Sequence, residues 1–123
     1  MGLFSKLFKD NGHQYERKVA RNIGRKVDIT SRNKEYFKNG KRFWEIDIET
    51  RSSAIEVKSG QGKGLQKQLD KYSIVTKKEP VALAPNMKYE AKKQTRRKYK
   101  VFDSTKELRN YLLSKGDGKK GKK

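Results

Sequence analysis

Asp47, followed after eight residues by Glu56, Val57 and Lys58, sets two carboxylates and an ammonium at a spacing that can act on a phosphate. Residues 42–50 read RFWEIDIET. From Trp44 they alternate, with Trp44, Ile46 and Ile48 assigned to one face and Glu45, Asp47 and Glu49 to the other. Residues 54–58, AIEVK, alternate again, with Ile55 and Val57 opposite Glu56 and Lys58. If the two segments are neighbouring arms in matching register, Asp47, Glu56 and Lys58 converge. Two carboxylates held together away from water are costly without a counter-ion. A divalent cation relieves that cost, and Mg²⁺ takes carboxylate and carbonyl oxygens plus water. Lys58 would then orient or deprotonate a water and offset charge on a phosphate.

The elements that must position these groups follow from periodicity and turn signals. Residues 13–23 read as a helix ended by Gly24, after Asp10-Asn11-Gly12 punctuates a leader. Residues 27–30 suggest a short strand. Asn39-Gly40 is a two-residue hairpin signal with Tyr36-Phe37 and residues 42–50 as arms. Arg51-Ser52-Ser53 turns the chain into 54–58. Residues 65–76 form the next helix, with Leu65, Leu69 and Tyr72 on one stripe. A strand at 81–84, a basic helix at 88–98, a strand at 100–102 and a helix at 105–113 complete the chain. Ser104 and Glu107 have the capping-box spacing for that last helix. The order is helix, three strands, helix, strand, helix, strand, helix, which predicts an α/β fold around a mixed sheet. The expected organisation is a leader at 1–11, one domain at 12–113 and a disordered Lys/Gly-rich tail at 114–123. Leu3, Phe4, Leu7 and Phe8 are expected to pack on the domain.

Glu-x-Lys triplets arise by chance in a chain with 38% charged residues, and there are three here. Glu16-Arg17-Lys18 and Glu90-Ala91-Lys92 sit in helical patterns. Only Glu56-Val57-Lys58 sits on an apolar-alternating strand, preceded by an acidic strand and followed by a Gly-rich turn into a helix. In that setting the middle triplet and Asp47 resemble the motif of the PD-(D/E)XK nuclease superfamily, and the resemblance extends over about residues 12–84. It implies a restriction-endonuclease-like fold, an α-β-β-β-α-β core with an added α-β-α, in which the Asp and the triplet lie on adjacent strands. No Pro precedes Asp47; Ile46 stands there. Glu16, in HQYERKVARNIG, matches the carboxylate that the first helix of that family often supplies. Gln68 and Tyr72 resemble the Q-x-x-x-Y element of one of its branches. The resemblance therefore implies Glu16, Asp47, Glu56, Lys58, Gln68 and Tyr72 as catalytic residues. It implies Mg²⁺ or Mn²⁺ held by Asp47, Glu56, the Val57 carbonyl and Glu16, and hydrolysis of a phosphodiester by a metal-activated water.

The charge balance names the class of partner. Among 123 residues, 33 Lys and Arg outweigh 14 Asp and Glu, for a formal net charge of +19. Residues 114–123, with five Lys and one Asp, carry +4 of it and the body carries the remaining +15. Such an excess calls for a polyanion. Lys63 in the Gly-rich turn, and Lys88, Lys92, Lys93, Arg96 and Arg97 along the basic helix, are the expected phosphate contacts, giving affinity without base specificity. The absence of Cys excludes disulfides and a thiol nucleophile, and a single His leaves too few ligands for zinc. Glu45 and Glu49 are expected to be solvated or paired with Lys, and His13 to lie at the surface. Gly60, Gly62 and Gly64 lack the Gly-Lys-Ser/Thr ending of a nucleotide-hydrolysing loop. No apolar run approaches the ~20 residues of a membrane span, and no export signal is present, so the expected location is cytoplasmic. DNA is the expected substrate, with junction resolution as one form; resolvases of this kind act as dimers, which makes a homodimer a fitting state. Three alternatives stay open: cleavage of RNA or tRNA, as in toxin nuclease domains, a non-catalytic nucleic-acid binder, and a membrane-surface adaptor.

Overall fold

The computed structural model describes the backbone of residues 2–120 and the side chains of residues 12–120. The proposed packing of Leu3, Phe4, Leu7 and Phe8 falls outside the described side chains. The elements are α1 (Gly2–Ile23), β1 (Ser31–Lys38), β2 (Lys41–Glu49), β3 (Ser53–Val57), α2 (Leu65–Val75), β4 (Glu79–Leu83), α3 (Tyr89–Arg96), β5 (Lys100–Phe102) and α4 (Thr105–Ser114). Apart from the suggested strand at 27–30, the order matches the one read from periodicity. α1 runs without a break through Asn11-Gly12, since one Gly weakens a helix interior by only about 1 kcal/mol.

The five strands form one mixed sheet in the order β1-β2-β3-β4-β5. β1, β2 and β3 are antiparallel neighbours, and β4 and β5 add in parallel through the crossovers α2 and α3. Two apolar clusters cover the two faces. Val19 and Ile23 of α1 and Leu108 and Leu112 of α4 pack on Ile48, Ile55, Val81 and Leu83. Leu65, Leu69 and Tyr72 of α2 pack with Ile46, Ala54, Ala82 and Val101 on the other. Covered on both faces, β3 is buried over most of its length. Ser104 caps α4 by accepting from the Glu107 N–H at 3.1 Å, as its spacing predicts.

Besides the longer first helix, the structure departs from the sequence reading in three places. The expected strand at 27–30 is absent: Val27 makes only an isolated bridge to Gly118, and β1 begins at Ser31. Residues 31–35 are polar because β1 is an edge strand, and its turn uses the left-handed Asn39 (φ 54°) and Gly40 (φ 78°). Trp44, Ile46 and Ile48 do not share a face. Ile46, with Trp44 beside it, joins the cluster under α2, while Ile48 joins the cluster under α1 and α4. The alternation breaks at Asp47, which closes no ladder rung on either side, and Asn33, the residue facing it on β1, is left-handed (φ 51°).

The third departure is the tail. Ser114 is the last residue of α4, and Asp117 beyond it is 2% exposed. Its Oδ2 accepts from the Thr50 hydroxyl at 2.7 Å and the Ser52 hydroxyl at 2.5 Å, and Arg51 donates to the Gly116 carbonyl at 3.0 Å. The Asp28 N–H bonds to the Asp117 carbonyl and the Lys119 N–H to that of Lys26, each at 2.8 Å. The boundary drawn at residue 113 thus falls short: a clasp at 115–119 ties the β2–β3 turn to the end of α1. Asp117→Ala should lower stability by about 1–3 kcal/mol, since it leaves buried hydroxyls without their acceptor. A thermal melt checks this; an unchanged midpoint would contradict the clasp.

Candidate active site

The β2–β3 register decides where the carboxylates meet. Ile48 pairs with Ile55 and Glu49 with Ala54, so Asp47 comes beside Glu56 one step further on. There side chains replace the backbone ladder. The Val57 N–H donates to Asp47 Oδ2 at 3.0 Å. The Asp47 N–H donates to the Tyr72 hydroxyl at 3.2 Å, and that hydroxyl donates to Glu56 Oε1 in a short bond. Lys58 Nζ lies 3.6 Å from Glu56 Oε2. The Lys58 N–H bonds to the Leu83 carbonyl at 2.9 Å, which anchors the triplet's end to β4. Asp47, Glu56 and Lys58 therefore lie together, as the sequence reading expects, although the alternation of β2 itself breaks at Asp47.

Charge at this knot is unbalanced. Burial, followed by the neighbouring Glu56 charge, pushes the Asp47 carboxyl up to about 8, against the opposing effects of the Val57 N–H and Lys58. Burial likewise raises Glu56, outweighing the bond from Tyr72 and the Lys58 charge. Tyr72, fully buried, is raised by burial and by both carboxylates, so its phenol remains a proton donor. One ammonium faces two carboxylates. The pair must either share a proton or receive a cation.

A cleft of about 680 Å³ opens onto this knot, and Glu16, Asp47, Glu56, Val57, Lys58, Lys63 and Gln68 are among its lining residues. Gln68 Oε1 is buried and has no hydrogen-bond partner among the described residues. The Gly-rich connection forms one wall, and Gly62 (φ 78°) presses on Met87 so closely that an added Cβ would lie 2.7 Å from its side chain. Glu16 reaches the cleft from α1 but is turned toward β1: its Oε2 accepts from Asn33 Nδ2 at 2.8 Å and from Arg32 at 3.3 Å. Burial and then the Asp47 charge raise its carboxyl. Among the described residues, no three His, Cys, Asp or Glu side chains group closely enough to hold a metal ion by themselves. Mg²⁺ is commonly held by one or two carboxylates with waters. Asp47 and Glu56, all-oxygen donors short of a positive charge, fit such an ion, with Val57 also lining the cleft and Glu16 outside the immediate donor pair.

Several predicted residues serve other ends. Tyr72 is closed off from the cleft and acts by holding Glu56 and the Asp47 backbone. Lys92 is 9% exposed, with its ammonium on Asp103. Arg96 donates to the Val101 carbonyl at 3.0 and 2.7 Å and to Asp103 Oδ2 at 3.2 Å. These two side chains fasten α3 to β5, the other edge of the sheet; the buried Lys92 is thereby removed from the expected phosphate contacts, while Arg96 is engaged but exposed. Lys63, Lys88, Lys93 and Arg97 are exposed and have no side-chain partner among the described residues. His13 is exposed, as expected, and Glu49 is buried, taking bonds from Ser31 and Tyr36 and pairing with Lys78 at 3.1 Å.

Sequence reasoning missed Arg32 and Asn33, which orient Glu16. The only local signal was an Asn, a residue that tolerates the left-handed region, in the middle of a strand. It also missed a second opening of about 330 Å³ lined by Arg42, Phe43, Trp44, Glu45, Asp47, Glu56 and Gln68. The basic-aromatic run 42–44 immediately before the acidic residues was the available signal.

Comparison with family models, with curated proteins and with solved structures finds no match for this chain.

In chelator, folded Asp47 keeps a proton that the unfolded chain sheds near its ordinary value of 3.8. The folded state then binds more protons than the unfolded one, so this group's contribution to stability falls as pH rises from about 4 to about 8. Melting midpoints of the wild type should decline relative to those of Asp47→Asn across that interval. Parallel curves would contradict the shared-proton description.

Proposed function

We propose that the protein is a metal-dependent nuclease of the PD-(D/E)XK class, with a restriction-endonuclease-like fold, that hydrolyses phosphodiester bonds of nucleic acid using Mg²⁺ or Mn²⁺. One observation carries the reading: Asp47 and Glu56 lie side by side, locked by Val57 and Tyr72, with Lys58 Nζ 3.6 Å from Glu56, at an open cleft. A solvated charged hairpin has no need of a fully buried tyrosine bonded to the Glu56 carboxylate and to the Asp47 backbone N–H. The five-stranded mixed sheet flanked by helices is consistent with the fold that the motif implies.

Each residue then has a task. Asp47 and Glu56, with the Val57 carbonyl, would hold a divalent ion, which when bound would supply the charge to polarise a phosphate and acidify a water. Lys58 directs its ammonium to the same space, orienting the attacking water or offsetting charge on the phosphate. Gln68, with its buried unpartnered oxygen, accepts a hydrogen bond from a cleft water or ligand. Glu16, held by Arg32 and Asn33, lies close enough to feel the Asp47 charge and adds negative potential. Lys63, Lys88, Lys93 and Arg97 hold the sugar-phosphate backbone. DNA is the proposed substrate, with RNA the second choice. No described helix is long and apolar enough to cross a membrane.

Lys58→Ala and Asp47→Asn should each slow cleavage by about 10²–10⁴-fold, while nucleic-acid binding in chelator persists. Asp47→Asn should bind as tightly as the wild type or more so, because a negative charge is gone. Digestion of plasmid, four-way junction and tRNA with Mg²⁺ reads both activity and preference. Cutting that survives in chelator, or in Asp47→Asn, would overturn the assignment.

A further inference from the structure

The β1–β2 hairpin carries chemistry that phosphate hydrolysis does not use. Phe37 stands beside its turn and is 63% exposed. The ladder shifts between Tyr36 and Phe37, so Phe37 pairs with Arg42, Lys38 with Lys41, and Phe43 is left without a rung. A bulge of this kind re-aims side chains. Lys71 Nζ lies 4.3 Å from the Phe43 ring centre and 5.4 Å from that of Trp44, and Lys38 Nζ lies 5.4 Å from Phe43. Residues 36–44 hold three cationic side chains, Lys38, Lys41 and Arg42, and no acidic one. Two acids flank the run: Glu35, 3.4 Å from Arg42 in an exposed pair that contributes little, and Glu45, which faces Glu35 across the ladder.

A lone exposed aromatic is unremarkable on a protein surface. Here the aromatics are interleaved with cations, and the residues next to Phe37 open directly onto the reactive groups: Arg42, Phe43 and Trp44 line the same 330 Å³ cleft as Glu45, Asp47, Glu56 and Gln68. Flat apolar faces beside positive charges match a nucleotide, which presents a base plane and a phosphate. Paired duplex keeps its base faces stacked and offers only phosphates, which would leave the exposed Phe37 without a role. An unpaired strand presents those faces, and sequence-tolerant stacking on aromatic side chains is how single strands are bound. An anionic lipid surface also attracts Phe and Lys, but it has no use for a cleft that runs from the aromatics to a carboxylate pair.

We propose that the β1–β2 hairpin stacks on unpaired bases beside the scissile phosphate, so that the strand in the cleft is single-stranded, as a flap, a loop or a free strand. The inference rests on the nuclease reading for the word scissile alone; the binding preference is tested without cleavage. The full chain, in chelator, is titrated into fluorescein-labelled 20-nucleotide single strands of DNA and of RNA, into the blunt duplex of the same DNA sequence, and into phosphatidylglycerol vesicles. The wild type should bind single strands more tightly than duplex, and comparison of the DNA and RNA strands identifies which sugar is preferred. Phe37→Ala should weaken single-strand binding roughly ten-fold and duplex binding less than two-fold, and Phe37→Trp should restore it. In the wild type, emission of Trp44, the one tryptophan of the chain, should be quenched by the single strand and not by the duplex. Equal effects of Phe37→Ala on single strand and duplex, no effect on either, or an effect on vesicles alone would overturn the proposal. If the wild type cuts nothing yet shows the Phe37-dependent preference, only the nuclease reading falls; if it cuts duplex and ignores Phe37→Ala, only the stacking proposal falls.

Discussion

The candidate site depends on one electrostatic conflict, two carboxylates held together on neighbouring strands with one ammonium beside them. A fold that merely needed a stable core would place apolar side chains at positions 47 and 56. Instead the ladder between β2 and β3 is given up at Asp47, the Val57 N–H turns to the Asp47 carboxylate, and the Tyr72 hydroxyl bridges Glu56 and the Asp47 backbone. Hydrogen bonds offset part of the cost of burial, yet both carboxyls remain shifted upward. A buried site short of one positive charge is poised for a small hard cation, and the wide opening beside it leaves room for a larger ligand.

The same conflict accounts for the oddities around it. Asn33 takes a left-handed conformation where β1 passes Asp47, and from there it holds Glu16 with Arg32. The break in alternation sends Ile46 and Trp44 to the α2 face and Ile48 to the opposite one, so β2 contributes to both clusters and carries the hairpin out beside the cleft. Positive charge is divided by use. Lys92, Arg96 and Lys98 pair with Asp103 and Asp70 to join elements, while Lys63, Lys88, Lys93 and Arg97 stay unpaired among the described side chains.

The central triad was legible in the sequence because period-two alternation on two short neighbouring segments leaves few registers, and the observed one brings Asp47 to Glu56. The element order was legible for the same reason, through stripes such as Leu65, Leu69 and Tyr72 and the Ser104–Glu107 cap. What escaped depended on partners distant in the chain. Lys92 and Arg96 look like a phosphate-binding stripe until Asp103 and the free carbonyl of an edge strand are set beside them. Asp117 looks like a stray acid in a Lys-rich tail until Thr50 and Ser52, more than sixty residues away, prove to need an acceptor. The polar run 31–35 has no apolar signature because an edge strand with a solvated face needs none.

The central claim is that Asp47 and Glu56 form a cation site, and cation-dependent stability tests it most directly. A ligand that binds only the folded state raises its stability with concentration. Melting midpoints of the wild type should climb as Mg²⁺ or Mn²⁺ is added at neutral pH, with proton release on binding, and those of Asp47→Asn should stay level. Midpoints indifferent to either ion, or rising equally in both proteins, would contradict the account.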